Sequence, residues 1–145
     1  MSTKSGILES LLKVLRERFE VWEDAEMITR SSLTYRPDAF FFSPDKTLFI
    51  VEVKKEEITI DHLRVLVDFC SDLQPVYGSK IEVILSSPSE LKPDVSQYIE
   101  IISSLQPFRF HFIRLTPEIA AYINSLDKGS PKLEKESREL LTGIV

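Results

Sequence analysis

Between Ile7 and Phe19 apolar residues fall at Leu8, Leu11, Leu12, Leu15 and Phe19, with Lys13, Arg16 and Glu17 between them, the spacing of an amphipathic helix. Met27 to Arg30 reads as a short strand, and Ser31 through Pro37 as a loop into the next one. Two runs rich in aromatic and β-branched residues follow, Ala39 to Phe42 and Thr47 to Val53, separated by the turn-forming Ser43-Pro44-Asp45-Lys46. They predict an antiparallel hairpin. A second helix should begin at an Asp61 cap, carry Leu63, Leu66, Val67, Cys70 and Leu73, and end at Pro75. Val65 and Phe69 make that helix apolar on a further side, as expected of one held between layers. Ile81 to Leu85 predicts a buried strand, Val95 to Ile102 a third helix, and the alternating Phe108, Phe110 and Phe112 another strand. Thr116-Pro117 should start a fourth helix and Gly129 stop it, and Ser130-Pro131 should restart a polar helix ending in Leu140, Leu141, Ile144 and Val145. Helix, hairpin, then alternating helices and strands predict an α/β fold, a mixed sheet between helical layers.

Within the hairpin, alternation puts Leu48, Ile50, Glu52 and Lys54 on one face. A turn centred on Asp45 pairs Phe42 with Leu48, Phe40 with Ile50, and Asp38 with Glu52. Two carboxylates directly opposed at ~5 Å repel by roughly 3 kcal/mol at an effective dielectric of about 20. A divalent cation offsets that repulsion, and Mg²⁺ or Mn²⁺ takes oxygen ligands while leaving positions for water and phosphate. Lys54, one pleat beyond Glu52, is the candidate to orient or deprotonate an attacking water and to stabilise charge on a phosphate. The simpler alternative is a hairpin-capping Asp38 with a Glu52–Lys54 ion pair that guards a strand edge.

Pro37-Asp38 entering one strand and Glu52-Val53-Lys54 leaving the next, behind an N-terminal helix, resemble the PD-(D/E)xK restriction-endonuclease-like nuclease superfamily. The resemblance runs from about Ile7 through Phe112 in element order and is nearest to small archaeal Holliday junction resolvase-like proteins. It implies a restriction-endonuclease-like mixed β-sheet with a central antiparallel hairpin, in which Asp38 and Glu52 bind Mg²⁺ or Mn²⁺ and Lys54 assists phosphodiester hydrolysis in DNA. Many members add a glutamate from helix one. Glu9, in Ser5-Gly6-Ile7-Leu8-Glu9, is the candidate for that third ligand, and Glu20 is the alternative. The resemblance also implies DNA as partner, branched or structured forms included, and a homodimer that cuts two strands. No Gln-x-x-x-Tyr of the RecB-like branch follows in helix two.

Composition bounds this picture. At 145 residues with 43% hydrophobic side chains the chain is one domain, with residues 1–129 as its nuclease-like body and 130–145 as a helical extension of it. No apolar run reaches the roughly 18–20 residues that span a bilayer, and Met1 to Gly6 leads into the helical pattern rather than a secretory signal. A cytoplasmic protein is expected. The single Cys70 excludes an intrachain disulfide and multi-thiolate metal sites, and reads as a buried thiol. A net charge of −5 is unlike the basic footprint of nucleic-acid-binding proteins. Phosphate contacts would come from a local set, Arg30, Arg36, Lys46, Lys54 and Lys55, of which Arg36, Lys55 and Arg30 are the candidates beside the catalytic lysine. Tyr35 reads as a core tyrosine or a base-stacking ring, and His62 and His111 as surface or interface residues without metal-ligand spacing. The acidic balance and the apolar tail Leu140 to Val145 keep a second function open, a non-catalytic interaction or assembly module of the same fold that docks a second chain on its tail.

Overall fold

A computed structural model of the chain describes residues 3–78 and 80–144. Helix α1 (Thr3–Arg16) is followed by β1 (Trp22–Glu23), β2 (Met27–Ile28), β3 (Thr34–Tyr35), β4 (Ala39–Phe42) and β5 (Leu48–Val53). Then come α2 (Ile60–Tyr77), β6 (Ile81–Ser87), α3 (Pro93–Leu105), β7 (Phe108–Arg114), α4 (Pro117–Ser125) and α5 (Pro131–Leu140). The main sheet runs β1-β4-β5-β6-β7, with β2 and β3 forming a separate two-stranded ribbon. The β1, β4 and β5 pairings are antiparallel, and β5, β6 and β7 run parallel. Parallel pairing needs a crossover, and α2 and α3 supply the two.

The β4–β5 register is the expected one, Phe42 opposite Leu48 and Phe40 opposite Ile50. Its turn is locked by backbone bonds between Ser43 and Thr47 and from Lys46 to Ser43, with Lys46 in the left-handed region at φ 68°. The Asp45 carboxylate accepts from the Ser43 hydroxyl and the Thr47 amide, which pins the turn and with it the register of everything beyond. Alternation then splits the sheet into two dry faces. Phe41, Phe49, Val51 and Val53 pack under Ile7, Leu11 and Leu15 of α1, together with Ile123 of α4 and Leu133 of α5. Leu48 and Ile50 pack under Leu63, Leu66, Cys70 and Leu73 of α2, with Val95 and Ile102 of α3.

Several expectations change. Helix α2 starts two residues earlier, capped by the Thr59 hydroxyl, which accepts from the His62 amide in place of an Asp61 cap. Pro75 does not end it. In the last turn a proline forfeits only one hydrogen bond, so the helix continues to Tyr77 and closes on Gly78 at φ 61°. Part of the expected loop, Thr34–Tyr35, pairs with Met27–Ile28 to make the ribbon, and Trp22–Glu23 adds an unforeseen edge to the sheet. Of the apolar tail, Leu141 is fully buried, and Leu140 and Ile144, both partly buried, pack on the α1-side core, while Val145 lies outside the described residues. Cys70 is buried as expected.

Phe41 is fully buried and stacks on Phe19 at 4.5 Å and on Phe49 at 4.9 Å between ring centroids. Phe41→Ala should therefore lower unfolding free energy by about 3–5 kcal/mol in urea titrations. The neighbouring Phe42 is 38% exposed, and its alanine variant should cost about 1 kcal/mol or less. Equal losses at the two positions would contradict the difference in burial between them.

Candidate functional site

The end of the hairpin is where the sheet stops being apolar. Ala39 pairs with Val51, so one step further along the same register places Asp38 opposite Glu52. The Val53 amide donates to Asp38 Oδ2 at 2.7 Å, tying the loop carboxylate across the end of β5. Glu52 follows four apolar residues of β5 and is itself only 9% exposed. Beyond it, the Lys54 amide donates to the Ser86 carbonyl, extending β5 along β6, and the Lys54 side chain enters the cavities on this face.

Glu52 is held by Tyr35, whose hydroxyl donates to Oε1 at 2.5 Å. Tyr35 arrives on β3 and stacks flat on Phe69 of α2 at 4.2 Å, so the ribbon exists on the sheet face to bring this hydroxyl in. Burial, and then the charge of Glu52, hold the phenol far above its ordinary ionisation range, so it remains a donor. Desolvation lifts the Glu52 carboxyl to about 7, and Asp38 pushes the same way; the Tyr35 hydrogen bond, Lys54 and Lys4 oppose the rise.

The residues expected at the site divide. Asp38, Glu52 and Lys54 come together at the end of β5. Lys55 joins them in an open cavity of about 250 Å³ that is also lined by Lys4, Lys54, Glu56 and His62. Arg36 reaches the adjoining cavity with Tyr35, Glu52, Lys54 and His62, but its guanidinium is paired with Asp24 at 3.0 Å and Glu26 at 2.9 Å. Arg30 is exposed on the ribbon, where its amide donates to Asp72. Lys46 sits in the turn at the opposite end of β5, about 26 Å of extended strand from Lys54. Glu9 is not brought to the pair: it lines a separate cavity with Leu12, Lys13, Arg16, Glu23 and Lys128. Glu20 is exposed beyond the helix. Among the described residues no group of three or more His, Cys, Asp or Glu side chains is placed to hold a metal.

Two further residues stand beside the pair: Lys4, which the sequence did not single out, and His62, which read as a surface or interface residue. From the first turn of α1, Lys4 places its ammonium 3.0 Å from Asp38 Oδ1. Its signal was its phase, since Lys4, Ile7 and Leu11 share one helical face and the last two are fully buried. His62 stands in the first turn of α2, a wall of both cavities, with its Nδ1 buried and without a hydrogen-bond partner. Desolvation and then the neighbouring Lys54 charge hold its pKa below the ordinary value, which keeps the ring neutral at pH 7. His111, by contrast, pairs with Glu82 at 2.5 Å on the parallel strands β6 and β7.

Two neighbouring carboxylates, one of them lining an open cavity, are a donor set compatible with a hard divalent cation, since Mg²⁺ keeps several waters and needs only one or two protein carboxylates. Asp38 raises the cost of charging the buried Glu52, and a cation between them would offset it; Asp38 and Glu52 are the residues that would hold one.

No protein-family model and no curated protein matches the chain. Solved structures do. A repair endonuclease from Pyrococcus abyssi aligns with a TM-score of 0.57 at 18% identity over 79% of this chain and 46% of its own. EndoMS in a complex with double-stranded DNA aligns at 0.55, 19% identical over 81% of this chain and 46% of that one. A protein of unknown function aligns at 0.60 with 10% identity over 94% of this chain and 95% of its own. This chain thus spans less than half the length of both endonuclease chains. The α/β architecture, a mixed sheet with a central antiparallel hairpin flanked by helices, is the restriction-endonuclease-like fold.

Glu52 also sets a pH dependence. In the unfolded chain it ionises near 4.5 and in the folded one near 7, so between those values the folded state binds the extra proton. Stability is present below about pH 4.5 and is lost as pH rises toward 7, by at most about 3 kcal/mol from this group. Glu52→Gln, which keeps an acceptor for Tyr35, should flatten that segment of the stability–pH curve and be the more stable protein at pH 8 without added metal. Parallel curves for the two proteins across pH 4.5–7 would contradict the burial of this charge.

Proposed function

We propose that the chain is a metal-dependent nuclease that hydrolyses phosphodiester bonds in DNA. One observation carries the reading: Asp38 and Glu52 converge at the open end of the hairpin, with Lys54 at the same end of β5 lining the cavities beside them. The fold, shared with a repair endonuclease and with EndoMS bound to double-stranded DNA, supports it. A charge pair kept at a stability cost, where a neutral pair would pack more cheaply, is what a retained site looks like.

Each group has a task in that reaction. Asp38 and Glu52 would hold Mg²⁺ or Mn²⁺, and the Val53 amide and the Tyr35 hydroxyl fix the orientation of the two carboxylates. When bound, the cation supplies Lewis-acid polarisation of a phosphate oxygen and lowers the pKa of water. Lys54, which lines the adjoining cavity, would orient the attacking water and offset the charge that grows on the phosphate as the water oxygen bonds to phosphorus and the sugar–oxygen leaving group departs. Lys55 and His62 line the adjoining cavity, where an approaching DNA phosphate would meet them. Arg36 can join only by exchanging Asp24 and Glu26 for phosphate oxygens, and Glu9 has no part.

Purified protein incubated with linear and branched DNA in Mg²⁺ or Mn²⁺ should cleave in a manner abolished by chelation. Asp38→Ala and Lys54→Ala should each reduce the rate by about a hundredfold or more. Equal rates in wild type and Asp38→Ala, or no cleavage of any substrate with either metal, would overturn the catalytic reading and leave the fold as an interaction module.

A further inference from the structure

The site carries more positive charge from this chain than the hydrolytic reading needs. Asp38 and Glu52 supply two negative charges, and two ammonium groups reach them from different elements, Lys54 from the end of β5 and Lys4 from α1. Lys54 is expected of the fold. Lys4 instead forms the direct ion pair, 3.0 Å from Oδ1 of Asp38, while Oδ2 takes the Val53 amide. Both Asp38 oxygens are therefore engaged, and the oxygen free of the backbone is the one that Lys4 covers. A divalent cation and an ammonium group on one carboxylate oxygen repel each other, so an ion that enters must move Lys4 aside.

The structure leaves room for that movement. The Lys4 side chain is 41% exposed while its partner is only 16% exposed, so the lysine is the mobile member of the pair. It already lines the open cavity with Lys54, Lys55, Glu56 and His62, in which a displaced ammonium finds Glu56 or a phosphate oxygen as its next partner. The start of its stem is fixed, because Ile7 and Leu11 on the same face of α1 are fully buried against the sheet.

We propose that Lys4 is an internal cation for the Asp38–Glu52 pair, which a divalent ion must displace, so that the first turn of α1 sets how much metal the site requires. This rests on the reading of the pair as a metal site. It assigns to α1 a competitor of the metal in place of a further acidic ligand, and it makes metal entry release an ammonium group into the cavity where DNA phosphate is expected.

Calorimetric titration of Mn²⁺ into the full chain tests the exchange without any turnover, with thermal melts to confirm that each variant is folded. Lys4→Gln should bind Mn²⁺ about two- to fivefold more tightly than wild type, the scale of losing one partly exposed ion-pair competitor. Lys4→Arg, which keeps the charge, should stay near wild type, as should Lys55→Gln, which removes a charge from the same cavity without touching Asp38. Unchanged or weaker binding by Lys4→Gln overturns the proposal, as does an equal gain in Lys55→Gln, which would mean general electrostatics. Wild-type binding lost in Asp38→Asn, together with no gain in Lys4→Gln, rejects the exchange alone; no binding by wild type or Lys4→Gln rejects the metal site itself.

Discussion

Two carboxylates forced together at the end of a hairpin are the constraint around which this molecule is arranged. Asp38 and Glu52 lie at the last step of a register that the Ser43–Thr47 turn sets at the other end, with two dry sheet faces between. A slip of one residue would turn Glu52 into the α1-side core and Val53 out of it. The apolar packing that stabilises the fold thus also holds the acids in opposition, and neither can relax without unpacking the sheet.

Much of the rest serves to make that opposition tolerable. The β2–β3 ribbon contributes little hydrogen bonding to the sheet, yet it delivers the Tyr35 hydroxyl to Glu52 and is braced against α2 by the Tyr35–Phe69 stack. Helix α1 covers one face with its apolar stripe and presents Lys4 at its exposed start. Helix α2 covers the other face and presents His62 in its first turn. Three elements that differ in sequence distance meet at one point because each is anchored by its own buried face. The overall charge of −5 does not describe this corner, where four basic or imidazole groups line a single cavity. A small local field of this kind can engage a phosphate even when the whole surface is acidic.

The hairpin was legible because its information is local. Period-two alternation and a turn with Pro44 and Asp45 define the register, and the Asp38–Glu52 apposition follows by counting. The helices were legible from their stripes, with errors at α2 where Thr59 and Asp61 are both competent caps and only packing chooses between them. Strands of two residues, such as β1 and β3, carry no pattern long enough to read and are made by the strand they pair with. Glu9, expected near the pair with Glu20 as its alternative, lies away from it and Lys4 lies on it for a related reason. The stripe gives the phase of α1 but not which end of it overhangs the hairpin, a matter of tertiary placement. His62 read only as a surface or interface residue because nothing in sequence joins a helix start to Lys54; the crossover that follows β5 does so in space. The partial burial of the apolar tail depends on α5 lying against α1, a tertiary placement that the local pattern does not carry.

The central claim is that the carboxylate pair is a divalent-cation site, and anomalous X-ray scattering from crystals equilibrated with millimolar Mn²⁺ tests it most directly. The account predicts a single anomalous peak at the end of β5, about 2.1–2.2 Å from oxygens of both Asp38 and Glu52, with the Lys4 ammonium withdrawn from Asp38. No peak between the two carboxylates at that concentration, with Lys4 still paired to Asp38, would contradict it.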